Sequence, residues 1–179
     1  MELRTLPRYS ADKLIADAIN EEAFPECERN SLDSLYASDT EERLDMLGIY
    51  EDENIVGFFT VRIFENIRYL AYFAVSHDKR SSGIGNKALQ LLKQRYPGAQ
   101  IVTEFEAPDE NCSNNSLRLR RRDFYLRNGF CETGWYSFYD DTEFAIACTD
   151  KDFDKAAFEK FTNHLSSIVP DHIPKLYMK

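Results

Sequence analysis

Residues 69–92 constrain this chain more than any other stretch. They read Tyr-Leu-Ala-Tyr-Phe-Ala-Val, then the polar turn Ser-His-Asp-Lys, then Arg80-Ser81-Ser82-Gly83-Ile84-Gly85, and then Asn86-Lys87-Ala88-Leu89-Gln90-Leu91-Leu92 at helical spacing. The order is strand, turn, small-residue loop and helix. A helix N-terminus leaves backbone N–H groups without intrahelical partners, and its dipole favours negative charge there. With no Cβ at Gly83 or Gly85 to hold a ligand away, such a loop suits an anion such as a phosphate group.

Two glycine-rich patterns compete for this loop. Gly83-Ile84-Gly85-Asn86-Lys87-Ala88 satisfies the dinucleotide fingerprint Gly-x-Gly-x-x-Gly/Ala, with Glu104 at about the distance of a ribose-binding acid. That fingerprint sets its first glycine almost directly after the strand, whereas residues 76–82 intervene here. Phe73-Ala74-Val75 followed by Arg80, Gly83 and Gly85 instead resembles the pyrophosphate loop of the GNAT superfamily of acetyl-CoA-dependent N-acetyltransferases. That loop has the pattern Arg/Gln-x-x-Gly-x-Gly/Ala after an apolar strand and a short turn. A second segment, Phe124-Tyr125-Leu126-Arg127-Asn128-Gly129-Phe130, looks like the GNAT segment whose tyrosine, four residues before Gly-Phe, lies beside the thioester sulfur. Taken alone, an aromatic helix end followed by glycine is ordinary core packing. The two segments stand in the family's order, separated by one strand.

Length and composition set bounds around this. A chain of 179 residues is expected to form one domain, 1–179, and can bury a proper core. Hydrophobic residues at 43%, with 13 Phe and 10 Tyr, place it among globular rather than disordered chains. No apolar run approaches the roughly 20 residues that span a bilayer. The N-terminus lacks the apolar core of a signal peptide, so a cytoplasmic location is expected. Cys27, Cys112, Cys131 and Cys148 are scattered, as are His77, His164 and His172, and no metal-ligand spacing appears. Free thiols and no metal are expected. The net charge of −9 disfavours nucleic acid as a partner. It favours a cationic substrate through steering, although solubility explains it equally well.

Taken in order, residues 2–6 read as an edge strand, and Ser10 as the N-cap of a helix with Leu14, Ile15, Ala18, Ile19 and Ala23 on its apolar face. Leu32, Leu35 and Tyr36 mark a second short helix. Residues 46–50 and 55–64 flank a hairpin turn at 51–54, and a turn at 65–67 leads into the strand from Tyr69. After the loop, Ile84, Ala88, Leu91 and Leu92 line a helix that Pro97-Gly98 stops. Residues 101–106 return as a parallel strand, and residues 107–115 form a loop. Ser116 can cap a helix rich in arginine (Arg118, Arg120, Arg121, Arg122, Arg127), which Gly129 ends. Those arginines either hold a phosphate or carboxylate or form a solvated face answering Glu104, Glu106, Asp109 and Glu110. Residues 130–139 and 142–148, joined at Asp140-Asp141, read as a hairpin. The tail, 150–179, begins with a helix carrying Phe153, Ala156, Ala157, Phe158 and Phe161.

The GNAT resemblance, carried best by residues 55–139, implies an α/β fold. It is a twisted, mostly antiparallel mixed sheet of about seven strands with helices on both faces. It implies N-acetylation of a primary amine by direct transfer from acetyl-CoA as co-substrate. A backbone N–H of Phe73, Ala74 or Val75 would polarise the thioester oxygen. Backbone groups of Arg80, Ser81, Ser82, Gly83, Ile84, Gly85 and Asn86 would hold the pyrophosphate, and Tyr125 would protonate the departing thiolate. A phenol at about 10 lies close enough to a thiol at about 8.5 for that role. Glu104 would serve as general base, with Glu106 on the same strand face at period two and a bridging water as the alternatives. Both carboxylates could instead simply pair with the arginines. Arg118 stands where many relatives have asparagine. A small cationic or amino-acid-like amine is the expected acceptor, and a peptide or protein amine the alternative. A monomer or homodimer acting on such an amine, with no membrane partner, completes the expectation. A non-catalytic acyl-CoA-binding module and a nucleotide-dependent oxidoreductase are the readings from other classes.

Overall fold

The computed structural model of the chain describes every residue except 27, 28, 40, 42, 140 and 170–173. The earlier assignments at Cys27, His172 and the Asp140 half of the hairpin turn lie outside the described residues. Two units emerge, one of Met1–Ile63 with Leu70–Pro97 and the other of Phe64–Tyr69 with Gly98–Lys179.

The first unit holds β1 (Glu2–Thr5), α1 (Ala11–Ala23), α2 (Leu32–Ala37), β2 (Leu44–Glu51), nearly all of β3 (Asn54–Phe64), most of β4 (Ile67–Val75) and α3 (Ile84–Arg95). Antiparallel ladders run from Glu2↔Tyr50 to Thr5↔Leu47 and from Leu44↔Arg62 to Glu51↔Asn54. The β2–β3 turn puts Asp52 and Glu53 both at positive φ, 49° and 67°, a two-residue connection that matches strand twist. Arg4 of β1 holds Glu53 at 2.7 Å. Leu6, Ala16, Ile19, Leu32, Leu35, Met46, Tyr50, Ile55, Phe58 and Ala74 form one buried cluster.

The expected apolar face of α1 is rotated. Ser10 caps the helix as read, accepting from the Lys13 N–H at 3.2 Å. Yet Leu14 is 69% and Ile15 47% exposed, while Lys13, Ala16, Ile19 and Asn20 are buried. Lys13 is tolerated inside because its ammonium meets Asp17 and Asp33, each at 2.8 Å, and Asn20 donates to the Asn30 carbonyl at 3.0 Å. On α3 the buried residues are Ile84, Ala88, Leu89 and Leu92, so Leu89 replaces Leu91 on the inward face.

The second unit holds the start of β4, then β5 (Gln100–Glu106), α4 (Asn115–Arg127), β6 (Cys131–Tyr139), β7 (Thr142–Cys148), α5 (Lys155–Ile168) and β8 (Lys175–Met178). The parallel ladder between β4 and β5 runs from Ile67↔Gln100 to Tyr69↔Val102. β5 pairs antiparallel with β7, β7 with β6, and β6 with β8. The full hydrogen-bonded order is β1-β2-β3-β4-β5-β7-β6-β8, a mostly antiparallel mixed sheet. Among the described residues it has eight strands, against the expected seven or so. The eighth is β8, paired from Trp135↔Met178 to Phe138↔Lys175 and fixed where Tyr177 and Lys179 meet the Glu143 carboxylate.

Helix α4 begins two residues earlier than a cap at Ser116 implies, with Asn114 at the N-cap and no side-chain cap hydrogen bond. Helix α5 is capped by Asp154, which accepts from the Ala157 N–H at 2.9 Å, and buries Phe158, Phe161 and Leu165. These two helices take opposite faces of β5. Phe105 stacks on Tyr125 of α4 at 5.7 Å, whereas the Tyr69 ring beside Glu104 lies 5.0 Å from Phe161 of α5. Among the described residues no helix is long and apolar enough to cross a membrane.

Candidate active site

In the first unit, β4 leads into the loop through a short 3₁₀ turn, His77–Lys79. Among the bonds that tie this segment to β3, the Tyr72 N–H donates to Thr60 Oγ1 at 3.0 Å, and the Ser76 N–H to the Val56 carbonyl at 2.9 Å. Gly57 of β3 makes this approach possible. A Cβ there would sit 2.4 Å from the Ala74 carbonyl oxygen and 3.2 Å from Val75 Cα. Ala74 and Val75 are thus held where only glycine fits opposite them.

The loop then closes on itself. Arg80 Nε donates to the Val75 carbonyl at 3.0 Å and Ser82 Oγ to the Lys79 carbonyl at 2.5 Å. Ser81 and Gly83 both take left-handed backbone, φ 64° and 85°. Gly83 is the N-cap of α3, offers no side-chain cap, and has nothing within 4 Å of where a Cβ would stand. The first bond into the helix is from the Lys87 N–H to the Gly83 carbonyl at 3.2 Å. Ile84 is buried and anchors this end, while Ser81, Ser82, Gly83 and Asn86 are exposed. An exposed, positively polarised helix end with open space at Gly83 fits a phosphate-bearing group.

In the second unit, Tyr125 is 8% exposed. Its ring stacks on Phe105 and meets Phe130 edge-on at 5.3 Å. Its hydroxyl is hydrogen-bonded with Thr103. Burial raises the phenol above its ordinary value, against smaller opposing effects of Thr103 and Arg121, so it is protonated across neutral pH.

Glu104 occupies the other face of β5. Tyr69 Oη donates to its Oε2 at 2.7 Å and the Ser137 hydroxyl donates to its Oε1. Burial raises this carboxyl above the usual carboxylate range, and the two hydroxyl donors pull it partly back. Glu104 and Tyr125 are therefore brought to one strand but to its two opposite faces.

Glu106 differs from Glu104 despite its even spacing. Standing at the strand end, it meets Arg118 at 2.8 Å and Arg121 at 3.7 Å, with Asn114 Nδ2 donating at 3.3 Å. Arg118 is further occupied by the Asn114 side chain at 2.9 Å and the Ala107 carbonyl at 3.0 Å. Arg122 clasps Glu132. Of the carboxylates expected to answer the arginines, Glu106 pairs with them, and Arg122 takes a further one, Glu132. Thr103, Tyr69 and Ser137 carried no sequence signal. Thr103 follows from period two once α4 is placed over Phe105, whereas the other two depend on strand register.

The described thiols, Cys112, Cys131 and Cys148, are free. Cys148 is buried and pushed up to about 11, and the carboxylate of Asp109 raises Cys112.

The chain matches the model of the acetyltransferase (GNAT) domain over residues 42–132, just over half its length. Comparison with curated protein sequences gives no match. Among solved structures, a GNAT-family protein from Bacteroides thetaiotaomicron is similar with a TM-score of 0.78 and 23% identity, covering 97% of this chain and 99% of its own. An aminoglycoside 6′-N-acetyltransferase complexed with coenzyme A is similar with a TM-score of 0.64 and 14% identity, over 83% of this chain and 96% of that one. The ribosomal-protein-S18-alanine N-acetyltransferase from Escherichia coli gives 0.57 and 19%, over 82% and 90%. At these identities the likenesses establish the fold. The domain match sets aside the dinucleotide alternative for the Gly83 loop. The chain belongs to the GNAT family of acetyltransferases, enzymes whose acyl donor is acetyl-CoA.

Proposed function

We propose that this enzyme N-acetylates a small cationic primary amine by direct transfer, with Tyr125 as the acid and Glu104 as the base. The observation that carries the acceptor class is the Glu104 carboxyl. It is desolvated and held by two hydroxyls, and no cation contributes at it among the described residues. An incoming ammonium supplies the missing countercharge and the proton that a raised carboxyl accepts readily. The net charge of −9 attracts the same class of substrate.

Acetyl-CoA supplies the activated acetyl group. The exposed α3 end, from Arg80 to Asn86, is the proposed seat of its pyrophosphate, and a backbone N–H among Phe73, Ala74 and Val75 the proposed donor to its carbonyl oxygen. Tyr125, kept protonated by burial, gives its proton to the departing sulfur and recovers one from solvent. Glu104 accepts a proton from the ammonium, directly or through water, leaving a neutral nucleophile; its attack forms the C–N bond, collapse breaks the C–S bond, and the second N–H proton leaves to solvent. The raised thiols of Cys148 and Cys112 are poor nucleophiles, which disfavours an acetyl-cysteine stage at either of them.

The runner-up is a peptide α-amine, favoured by the likeness to the ribosomal-protein-alanine acetyltransferase. The test is a panel of spermidine, kanamycin, free lysine and an alanine-terminated peptide, each incubated with acetyl-CoA and followed by thiol release. Faster turnover of the small cations supports the proposal, and faster turnover of the peptide replaces it with the runner-up. No turnover with any amine would leave an acyl-CoA-binding module.

A further inference from the structure

Three polar side chains from three strands converge on the α5 face of the second unit. Ser137 of β6 is fully buried, Tyr69 of β4 is 8% exposed, and both donate to Glu104 of β5, which retains some exposure. Each carboxylate oxygen receives one donor: Oε2 from Tyr69 and Oε1 from Ser137. Each oxygen thus accepts one bond from these donors and has the capacity to accept another. Ser137 reaches this carboxylate from β6 although β7 intervenes between β6 and β5. Tyr69 is itself braced by Phe161 at 5.0 Å and Phe158 at 6.2 Å.

Among the described residues no charged group contributes at Glu104. On β7 the residue opposite Glu104 is Ile146, and on α5 the neighbours of Tyr69 are phenylalanines. Among the described residues Tyr69 is the titratable group hydrogen-bonded to it.

We infer that Tyr69 and Ser137 are positioning residues for the acceptor amine: they fix the Glu104 carboxylate with its open edge outward and keep it ionised enough to take the proton of an ammonium. The step transfers one proton from R–NH3⁺ to the carboxylate, giving R–NH2 and a carboxylic acid that later returns the proton to solvent. This rests on Glu104 acting as the base. Removing either donor destabilises the carboxylate, raises its pKa and leaves less of the base ionised at a given pH.

The test pairs two readings of the whole chain. The first is a carbon-13 NMR titration of labelled glutamate carboxyls, with the Glu104 signal assigned by Glu104→Gln. The second is the acid limb of kcat/KM for the fastest amine of the panel above. Tyr69→Phe and Ser137→Ala are each expected to move both upward by about one pH unit, or about tenfold in rate on that limb. Thermal melting checks that each variant folds, and the more conservative Tyr69→Phe stands if Ser137→Ala does not. If Glu104→Gln abolishes the limb while neither hydroxyl variant shifts it, the positioning role is overturned and the base stands. If Glu104→Gln leaves rate and limb intact, the base assignment falls and the positioning role falls with it.

Discussion

Replacing Gly57 with alanine tests whether β4 presents the thioester. The new Cβ would stand 2.4 Å from the Ala74 carbonyl oxygen, with Ile49 Cδ1 at 3.1 Å and Val75 Cα at 3.2 Å. The nearest atom is backbone, so it cannot rotate away. Restoring an ordinary contact displaces the strand at Ala74 and Val75 by about 1 Å, at a stability cost of about 1–3 kcal/mol. The chain should still fold, since domains of this size have about 5–15 kcal/mol to lose. A 1 Å misplacement of a group acting on the reacting carbon costs about 10²-fold in rate. Gly48→Ala is the control. Its Cβ would meet Tyr50 Cε2 at 2.6 Å and Ile55 Cδ1 at 3.2 Å, both side-chain atoms that can shift. Thermal melting and steady-state thiol release on both variants separate the two costs. The expected outcome is a smaller loss of stability in Gly48→Ala than in Gly57→Ala, with kcat falling about 10²-fold only in Gly57→Ala. A folded Gly57→Ala variant with kcat within about twofold of wild type would refute the assignment of the thioester contact to Phe73, Ala74 and Val75.

Three further outcomes follow from the same geometry. Tyr125→Phe keeps the ring packing on Phe105 and Phe130 but removes the proton, so kcat should fall by about 10²-fold or more while calorimetry finds acetyl-CoA affinity unchanged. Gly83→Ala puts a Cβ at φ 85° in open space, costing about 1 kcal/mol of backbone strain. It should raise KM for acetyl-CoA and leave kcat at saturation in place. The Glu104 carboxyl is raised by burial, so its contribution to stability is complete below the unfolded-state pKa and is lost as pH rises through the folded value. The melting temperature of Glu104→Gln should therefore gain on that of wild type as pH rises over that window, and a pH-independent difference would count against a raised carboxyl.

What could be read from the sequence was what the backbone alone encodes. The loop was legible because glycine at 83 and 85 is a statement about φ and access, and Gly83 indeed takes φ 85°. The strands from β2 to β7 were legible from alternation and turn residues. The inward face of α1 was not, because Lys13 is made acceptable inside partly by Asp33, on another helix. The short β8 was missed because four residues, Lys175–Met178, carry too little pattern until β6 offers an edge. Alternation put Glu104 and Glu106 together, but the position of Glu106 at a strand end let it reach the arginines of α4. The partners of Glu104 lie 35 and 33 residues away in sequence, on strands whose register no local signal sets.

The most direct test of acetyl transfer in a ternary complex is an initial-rate study with acetyl-CoA and the best panel amine both varied. Direct transfer predicts double-reciprocal lines that intersect, because both substrates must be bound before any thiol leaves. Parallel lines would show that the acetyl group rests on the protein between two half-reactions. That result would contradict the roles given to Tyr125 and Glu104.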